Sequence, residues 1–484
     1  MTDPETDART EPSPRGGREH AVVLGAGIAG ILAARVLADT FRAVTVVDRD
    51  DLVEMVPRRG VPQGQHLHGL METGRRIMEE LFPGLTDELT RRGASIGEAL
   101  VNTRWYFGGL RAHPTPTGLT PILASRPFVE SVLRGRLAAV PNVTLRPRTA
   151  AVGLVEATDG SHRIVGVRVT RGGARGDVPA AADGGDLIHG DLIDGDLIHA
   201  DLVVDATGRG SRAPDWLASL GSPRPAEDKV DIDLGYTTRL YRRKPGQLDG
   251  DLAVNMSVAP GLRGATAIAI EDDRWQVTLA GTLGDHPPVD DEGFRAFAAT
   301  LPAKDVQGLI ADSEPLNDAL PYRFRGSRRR YWERLAAPPE GFLAVGDAVC
   351  SLNPVYAQGM TVAAQEAKAL QRCLASPRPG LPRRYYREAG RLVEAAWQTS
   401  TGTDLAHPAV EGRRTRRGRL TNAYVKRMLL ASHVDPTVAR TFMRQVHLVD
   451  PRSALLRPGL VLRILRHGKP PAAARSRPAP AAAR

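Results

Sequence analysis

The sequence predicts an α/β fold: a Rossmann-like nucleotide-binding domain, interrupted by an α+β domain built on an antiparallel sheet and followed by a helical C-terminal region. Three observations predict it. The run "EHAVVLGAGIAGILAARVLADTFRAVTVVDRDD" reads as strand, glycine turn, helix and second strand, because an apolar β run gives way to apolar residues at helical spacing and then to "AVTVV". The same strand-to-turn-to-helix pattern returns late in the chain, in "EGFLAVGDAVCSLNPVYAQGMTVAAQEAKALQRCL". Between them, over residues 216–333, the segments "DIDLGYTTRLYRR", "ATAIAI" and "WQVTLAG" alternate as antiparallel strands do and lead into a helical piece, "DEGFRAFAATL".

The remaining elements fill in around these. Residues 75–120 hold a helical pattern and the aromatic cluster "RWYFGGL"; "NVTLRPRTAAVGLVEA" and "RIVGVRVTR" alternate as paired strands. "IHADLVVDATGRGS" is a strand that runs into a second glycine turn, and the chain after Pro382 is helical and arginine-rich. A five-residue unit, GDLIH or a close variant, occurs three times over residues 185–199. Three units are too few for a β-roll and lack its glycine pattern, so a tandem expansion in a hairpin loop is expected.

At 484 residues and 42% hydrophobic content the chain can build two or three domains with real cores. Its net charge of +10 comes from arginines that read as scattered, with lysine nearly absent. The charge is therefore assigned to solvated faces, and no nucleic-acid partner or membrane-surface contact is expected. Two cysteines, Cys350 and Cys373, exclude a disulfide framework and suit a reducing compartment. Residues 1–18 lack the apolar core of a secretory signal and read as a disordered leader; residues 467–484, rich in Pro, Ala and Arg, read as a disordered tail. The longest apolar run, residues 21–34, is short for a bilayer and broken by glycines, so a cytoplasmic location is expected. The basic apolar segment "LLRPGLVLRILRHGK" is read as a packed terminal helix.

The chemistry-bearing motifs begin with "GAGIAG", which spans Gly25, Ala26, Gly27, Ile28, Ala29 and Gly30. After a strand and opening a helix, Gly25 permits the tight turn, Gly27 lets backbone approach a pyrophosphate, and Gly30 lets the helix pack against the strand. Phosphates then sit at the positive helix end. Asp48, followed by Arg49, stands about 20 residues on at the end of the second strand, where an acid binds a ribose hydroxyl pair. In the late repeat of the pattern a strand delivers Gly346 and Asp347, and Pro354 starts a loop that enters a helix near Gly359 and Met360.

With these residues the chain resembles the flavoprotein monooxygenases of the para-hydroxybenzoate hydroxylase type. The resemblance implies FAD, with Asp347 on the ribityl hydroxyls and the Gly359 and Met360 amides facing the flavin ring, where a helix N-terminus stabilises the negative charge of the reduced cofactor. It also implies that Arg126, in "SRPFVESVLRGRL", contacts the FAD chain and that Ala151, in "RTAAVGLV", contacts the adenine through its backbone. Residues 19–75, 121–215 and 335–375 then form a discontinuous FAD-binding domain, residues 76–120 and 216–334 the substrate domain, and residues 376–466 the helical C-terminal region. The second glycine turn departs from the family: hydroxylases of this type carry an Asp-Gly pair where this chain has "DATGRGSR", residues 205–212. NADPH or NADH is thus expected as electron source either directly or through a flavin reductase.

"VPQG" with a His-x-His before a helix, and "NPVY" with "QGMT", is similar to the bacterial epoxidases of polyether biosynthesis, the monensin and lasalocid type. That group carries Gly where this chain has Ala357. The pair His66 and His68 has the spacing of a zinc site on a strand, but the third protein ligand that a catalytic zinc needs does not follow in a recognisable context. The stretch has two other readings, a flavin-proximal or substrate-facing loop and a capping and packing role, and no metal is expected. Flavin-proximal candidates are Gln65, His66, Pro354, Gly359 and Met360; Trp105, Tyr106 and Phe107 either line a substrate cavity or pack a core.

The resemblance implies a monooxygenase that uses dioxygen through a flavin C4a-hydroperoxide and epoxidises carbon–carbon double bonds of a hydrophobic polyketide or polyene intermediate of secondary metabolism. Alternatives are an aromatic hydroxylase and an FAD-dependent reductase of isoprenoid double bonds. Epoxidation of an electron-rich alkene needs no protein base, whereas phenol hydroxylation benefits from one. A halogenase would share the nucleotide fold, but its Trp-x-Trp-x-Ile-Pro signature is absent.

Overall fold

Short β-branched runs with no polar interruption are the signature of strands buried on both faces, and the strand His20–Leu24 is one. In the computed structural model, which describes residues 18–55, 58, 62–171, 196–259 and 261–468, it is the centre of a five-stranded sheet. The order is Phe342–Ala344, Leu202–Asp205, His20–Leu24, Ala43–Val47, Val143–Arg146, and every pair is parallel. The helix Ile28–Ala38 packs against the helices Arg126–Ala138 and Gly359–Leu374 in the core beside this sheet. A three-stranded antiparallel sheet, Thr149–Glu156, Ile164–Arg171 and Asp196–His199, packs on the strand Leu202–Asp205. Its last strand is the end of the GDLIH repeats; the earlier units, the leader to residue 17 and the tail from residue 469 lie outside the described residues.

The second large element is an eight-stranded sheet in the order Cys350–Ser351, Leu320–Arg330, Glu227–Arg242, Arg274–Gly281, Arg263–Ile270, Ala253–Met256, Thr103–Phe107, Leu110–Arg111. Strand side chains alternate between faces. One face places Tyr241, Trp275, Val277 and Leu279 against Phe294, Val306 and Ile310 of the helices Asp291–Ala299 and Asp305–Asp312. The other, carrying Tyr236, Thr238, Gln276 and Tyr322, is left for the loop that contains the two histidines.

Two segments are distributed otherwise than their sequence pattern suggests. Within residues 76–120, helices Glu72–Leu81 and Leu85–Arg91 pack Met78, Leu81 and Leu85 into the core of the nucleotide side; only Thr103–Phe107 and Leu110–Arg111 enter the large sheet. Cys350–Ser351, just after the Gly346–Asp347 turn, pairs with Arg328 and Arg329, so the large sheet starts a few residues from that turn. The C-terminal region consists of the helices Leu381–Asp404, Arg416–Ser432, Pro436–Val446 and Pro458–His467. Asp435 caps the third, accepting from the Thr437 and Val438 amides with Pro436 in the first turn.

The charge is not scattered as its first reading holds. Thirteen Lys or Arg against three Asp or Glu fall between residues 411 and 467, which equals the net charge of the whole chain. No helix among the described residues is long and apolar enough to cross a membrane.

Candidate functional site

The strands of the parallel sheet end together at Leu24, Val47, Asp205 and Ala344, and the glycine turns follow them. Gly25 has φ +101°, and a Cβ there would lie 2.7 Å from the Ala206 carbonyl oxygen; at Gly30 it would lie 1.8 Å from that of Gly25. Only glycine fits either position. The helix that starts at Ile28 has no side-chain cap and no acid in its first turn, which leaves its positive end open to an anion. Ile28 is buried, and Ala29 meets the next turn: a Cβ on Gly346, whose φ is +62°, would be 2.7 Å from the Ala29 methyl.

Asp48 is buried and accepts from the Ala26 amide at 2.6 Å through Oδ2 and from the Asp50 amide at 2.8 Å through Oδ1. Arg58 donates to its Oδ2 at 2.8 Å and to Glu130 Oε2 at 2.9 Å, and Nη2 stands 3.3 Å from the Cβ position of Gly27. A cation therefore borders the anion cradle. Arg49 is exposed, and Ala151 lies half-buried at a register shift in its strand.

Arg126 donates to Glu130 Oε1 at 2.8 Å and to His68 Nε2 at 2.9 Å. Glu130 thus holds Arg58, Arg126 and Arg134 at once. Asp347 accepts no hydrogen bond from the described residues. Burial pushes its carboxyl up, opposed by Arg126 and Arg209. Glu366 accepts from the Gly346 amide at 2.7 Å, and burial, with Asp347 beside it, pushes its carboxyl up to about 8. In "DATGRGSR", Asp205 is satisfied locally by the Thr207 amide and hydroxyl and the Ser211 hydroxyl. Arg209 leaves that turn, donates to the Gly326 carbonyl at 2.6 Å and lies 4.8 Å over the Phe324 ring, joining the two sheets.

The turn Pro354–Tyr356 is opened by Asn353, whose side chain accepts from the Val355 amide, and ends at Ala357 with φ +51°. The helix Gly359–Leu374 follows with no side-chain cap and no acid in its first turn; Met360 is buried, and the buried Gln358 Oε1 has no partner among the described residues. Gly69 faces Ala357, a Cβ there standing 3.4 Å from the Ala357 methyl.

His66 and His68 point apart. His66 Nδ1 is hydrogen-bonded to Thr238 Oγ1 at 2.8 Å, with its ring 5.2 Å from that of Tyr322 and 6.2 Å from that of Tyr236. His68 donates from Nδ1 to the His66 carbonyl at 2.9 Å and accepts from Arg126 at Nε2. Burial holds His66 near 4; burial and Arg126 hold His68 near 3, so both are neutral. No group of three His, Cys, Asp or Glu among the described residues is placed to hold a metal. Gln65 is exposed, but its carbonyl accepts from Gln276 Nε2 at 3.0 Å, which docks the loop on the large sheet. A cavity of about 280 Å³ lies there, lined in part by Gln65, Thr238, Leu240, Ile270, Gln276 and Leu320.

Trp105, Tyr106 and Phe107 are elsewhere. Trp105 and Phe107 pack with Phe442, Met443 and His447 at the C-terminal helices, while Tyr106 donates to Asp305 at 2.9 Å on the other face of its strand. Motif reading missed Arg58, Glu130 and Arg209; the spacing Arg126, Glu130, Arg134 on one helix face was a signal available for Glu130.

No protein-family model matches the chain. Protein Rv3254 of Mycobacterium tuberculosis is 31% identical to it over 449 residues, which covers 90% of each chain. The chain belongs to the family of protein Rv3254. Solved structures similar to this chain include pqsL of Pseudomonas aeruginosa, described as a probable FAD-dependent monooxygenase, with TM-score 0.57, 17% identity and coverage of 80% of this chain and 96% of that one. CmlS, a flavin-dependent halogenase, gives TM-score 0.60 and 15% identity over 89% of this chain and 77% of that one. What this chain shares with them is the fold, in which its own parallel sheet is joined to a large mixed sheet.

Proposed function

We propose that this chain is an FAD-dependent monooxygenase acting on an uncharged hydrophobic small molecule, and that its reaction is epoxidation of a carbon–carbon double bond in a polyketide or polyene intermediate. One observation carries the reading: two helices whose N-termini, at Gly27 and Gly359, have no side-chain caps pack on each other beside one parallel sheet, and the ends of two of its strands lead to aspartates, the buried Asp48 and the half-buried Asp347. The residues fit the cofactor. Asp48 would bind the ribose, the Gly25–Gly30 turn and Arg58 the pyrophosphate, Asp347 the ribityl hydroxyls, and the amides at Gly359 and Met360 the polar edge of the ring. When bound, FAD supplies two-electron reduction and the activation of dioxygen for transfer of one oxygen atom.

The chain's own residues position and enclose. His66, Tyr236 and Tyr322 line the facing sheet with neutral rings, a wall suited to an apolar substrate and to the exclusion of water. His66 is bonded to Thr238 and remains unprotonated down to about pH 4, so it places no cation against the substrate. Epoxidation asks for no protein base, in keeping with that wall. Electrons would come from NADPH or NADH, directly or through a flavin reductase.

The test is purification of the protein, its flavin spectrum, and product mass spectrometry after incubation with dioxygen, a reductase system and candidate polyenes or phenols. One added oxygen that becomes a diol on mild acid is the expected result. A protein that takes up no flavin overturns the cofactor reading; a flavin-loaded protein that transfers no oxygen to any alkene overturns the reaction.

A further inference from the structure

The helix Leu381–Asp404 ends with its last residue buried against the turn described above. Asp404 is 3% exposed. Its Oδ1 accepts from Asn353 Nδ2 at 3.0 Å and from the Tyr356 hydroxyl at 2.7 Å. Those donors stand on either side of Pro354 and Val355, and Asn353 also accepts from the Val355 amide at 3.1 Å. One carboxylate oxygen from the C-terminal region thus fastens both ends of the turn. Just beyond it Ala357 is held in the left-handed region, which costs a non-glycine residue on the order of 1 kcal/mol. Two hydrogen bonds to an ionised acceptor are enough to impose it.

The other oxygen, Oδ2, is buried and has no partner among the described residues. The titratable groups facing this carboxyl are the phenols of Tyr356 and Tyr236, from the turn and from the large sheet. Tyr236 in turn stacks with Tyr322 in the wall around His66. Among the described residues no cation offsets the charge: burial raises the carboxyl, and Tyr356 and Asn353 oppose it. Protonation weakens the acceptor on which both bonds depend.

Resting on the flavin reading above, we propose that Asp404 is the positioning residue of the turn that faces the flavin ring, and that ionisation of its carboxyl tightens that turn and so couples flavin binding to pH. The C-terminal helical region is then a structural part of the cofactor site.

The experiment is FAD titration of the apoprotein between pH 5 and 8, followed by flavin fluorescence and by the visible spectrum of the bound cofactor. Wild-type affinity is expected to rise with pH through an apparent pKa of about 6. Asp404→Asn, which keeps an acceptor oxygen but cannot ionise, is expected to bind FAD with no such dependence. Asp404→Ala is expected to lose about tenfold in affinity, the scale of one charge-assisted hydrogen bond. Tyr356→Phe removes one of the two donors without touching the buried carboxyl, and a smaller loss with an altered spectrum is expected if the alanine variant does not fold. Equal affinity and spectrum in wild type, Asp404→Asn and Tyr356→Phe at every pH overturns this proposal alone. A wild-type protein that binds no FAD at any pH overturns it together with the flavin reading.

Discussion

Arg58 reaches over the nucleotide turn and donates from Nη1 to the Asp48 carboxylate at 2.8 Å, with both side chains buried. Its Nη2 serves Glu130 at 2.9 Å, so one guanidinium neutralises two carboxylates at the end of the second strand. Removing one partner of such a set is costly because the other is left buried and charged. Arg58→Met is expected to lose on the order of 3 kcal/mol of stability, at the low end of that range because Arg126 and Arg134 still hold Glu130. Arg58→Lys restores the charge but not the fork. Thermal unfolding of the apoprotein checks this; a wild-type midpoint in Arg58→Met would show that the network carries no stability.

Asp347 is expected to behave in the opposite way. Its half-buried carboxylate accepts nothing from the described residues, while desolvation disfavours its charge. Asp347→Asn is therefore expected to raise the melting temperature of the apoprotein and to lower FAD affinity at least tenfold, since the ribityl hydroxyls lose a charged acceptor. Parallel unfolding and flavin titration measure the two effects. A loss of both stability and affinity would make Asp347 an ordinary structural residue.

How much of this was legible in the sequence depended on the range of the interaction. Gly25 and Gly30 are dictated by clashes within a few residues, and Asp48 by its distance along the chain from them, so the nucleotide turn could be read directly. The pairing of Thr103–Phe107 with Ala253–Met256 could not, because alternation fixes which side chains share a face and not which strand lies alongside. That is also why the aromatic cluster kept two readings until Phe442 and His447 were seen against it. His66 and His68 illustrate the same limit: their spacing suggests convergence, but one ring goes to Thr238 on the large sheet and the other to Arg126 on the nucleotide side.

Ala357 offers a local test. Its φ of +51° suits glycine, and its methyl stands opposite Gly69. Ala357→Gly is expected to stabilise the protein by up to about 1 kcal/mol, part of the relief being offset by the greater freedom of glycine in the unfolded chain. It also widens the space beside the loop that carries His66 and His68, so bulkier alkenes should gain in relative rate. Denaturant unfolding and competition between substrates of different width are the measurements; a destabilised variant would mean that the Ala357 methyl packs more than it strains.

The pH dependence of stability follows from groups that burial pushes in opposite directions. His66 and His447 are held near 4 and His68 near 3, so as pH falls from about 6.5 the unfolded chain takes up protons that the folded one refuses, and stability declines. Glu366 is raised to about 8, so between about 4.5 and 8 the folded chain keeps a proton that the unfolded one has lost, and stability declines as pH rises. Asp404, near 6, adds to that second slope only at lower pH. Above about pH 6.5 the histidines no longer contribute, which leaves Glu366 as the residue governing the fall towards pH 8. The melting temperature is thus expected to peak near pH 6.5, and Glu366→Gln, which retains an acceptor for the Gly346 amide, should flatten the alkaline side and steepen the acid side, where Glu366 opposes the histidines. Melting curves of the two proteins from pH 5 to 8.5 decide it: an unchanged alkaline slope in Glu366→Gln would mean that Glu366 is ionised in the folded protein and that its charge is stabilised by a partner other than the Gly346 amide.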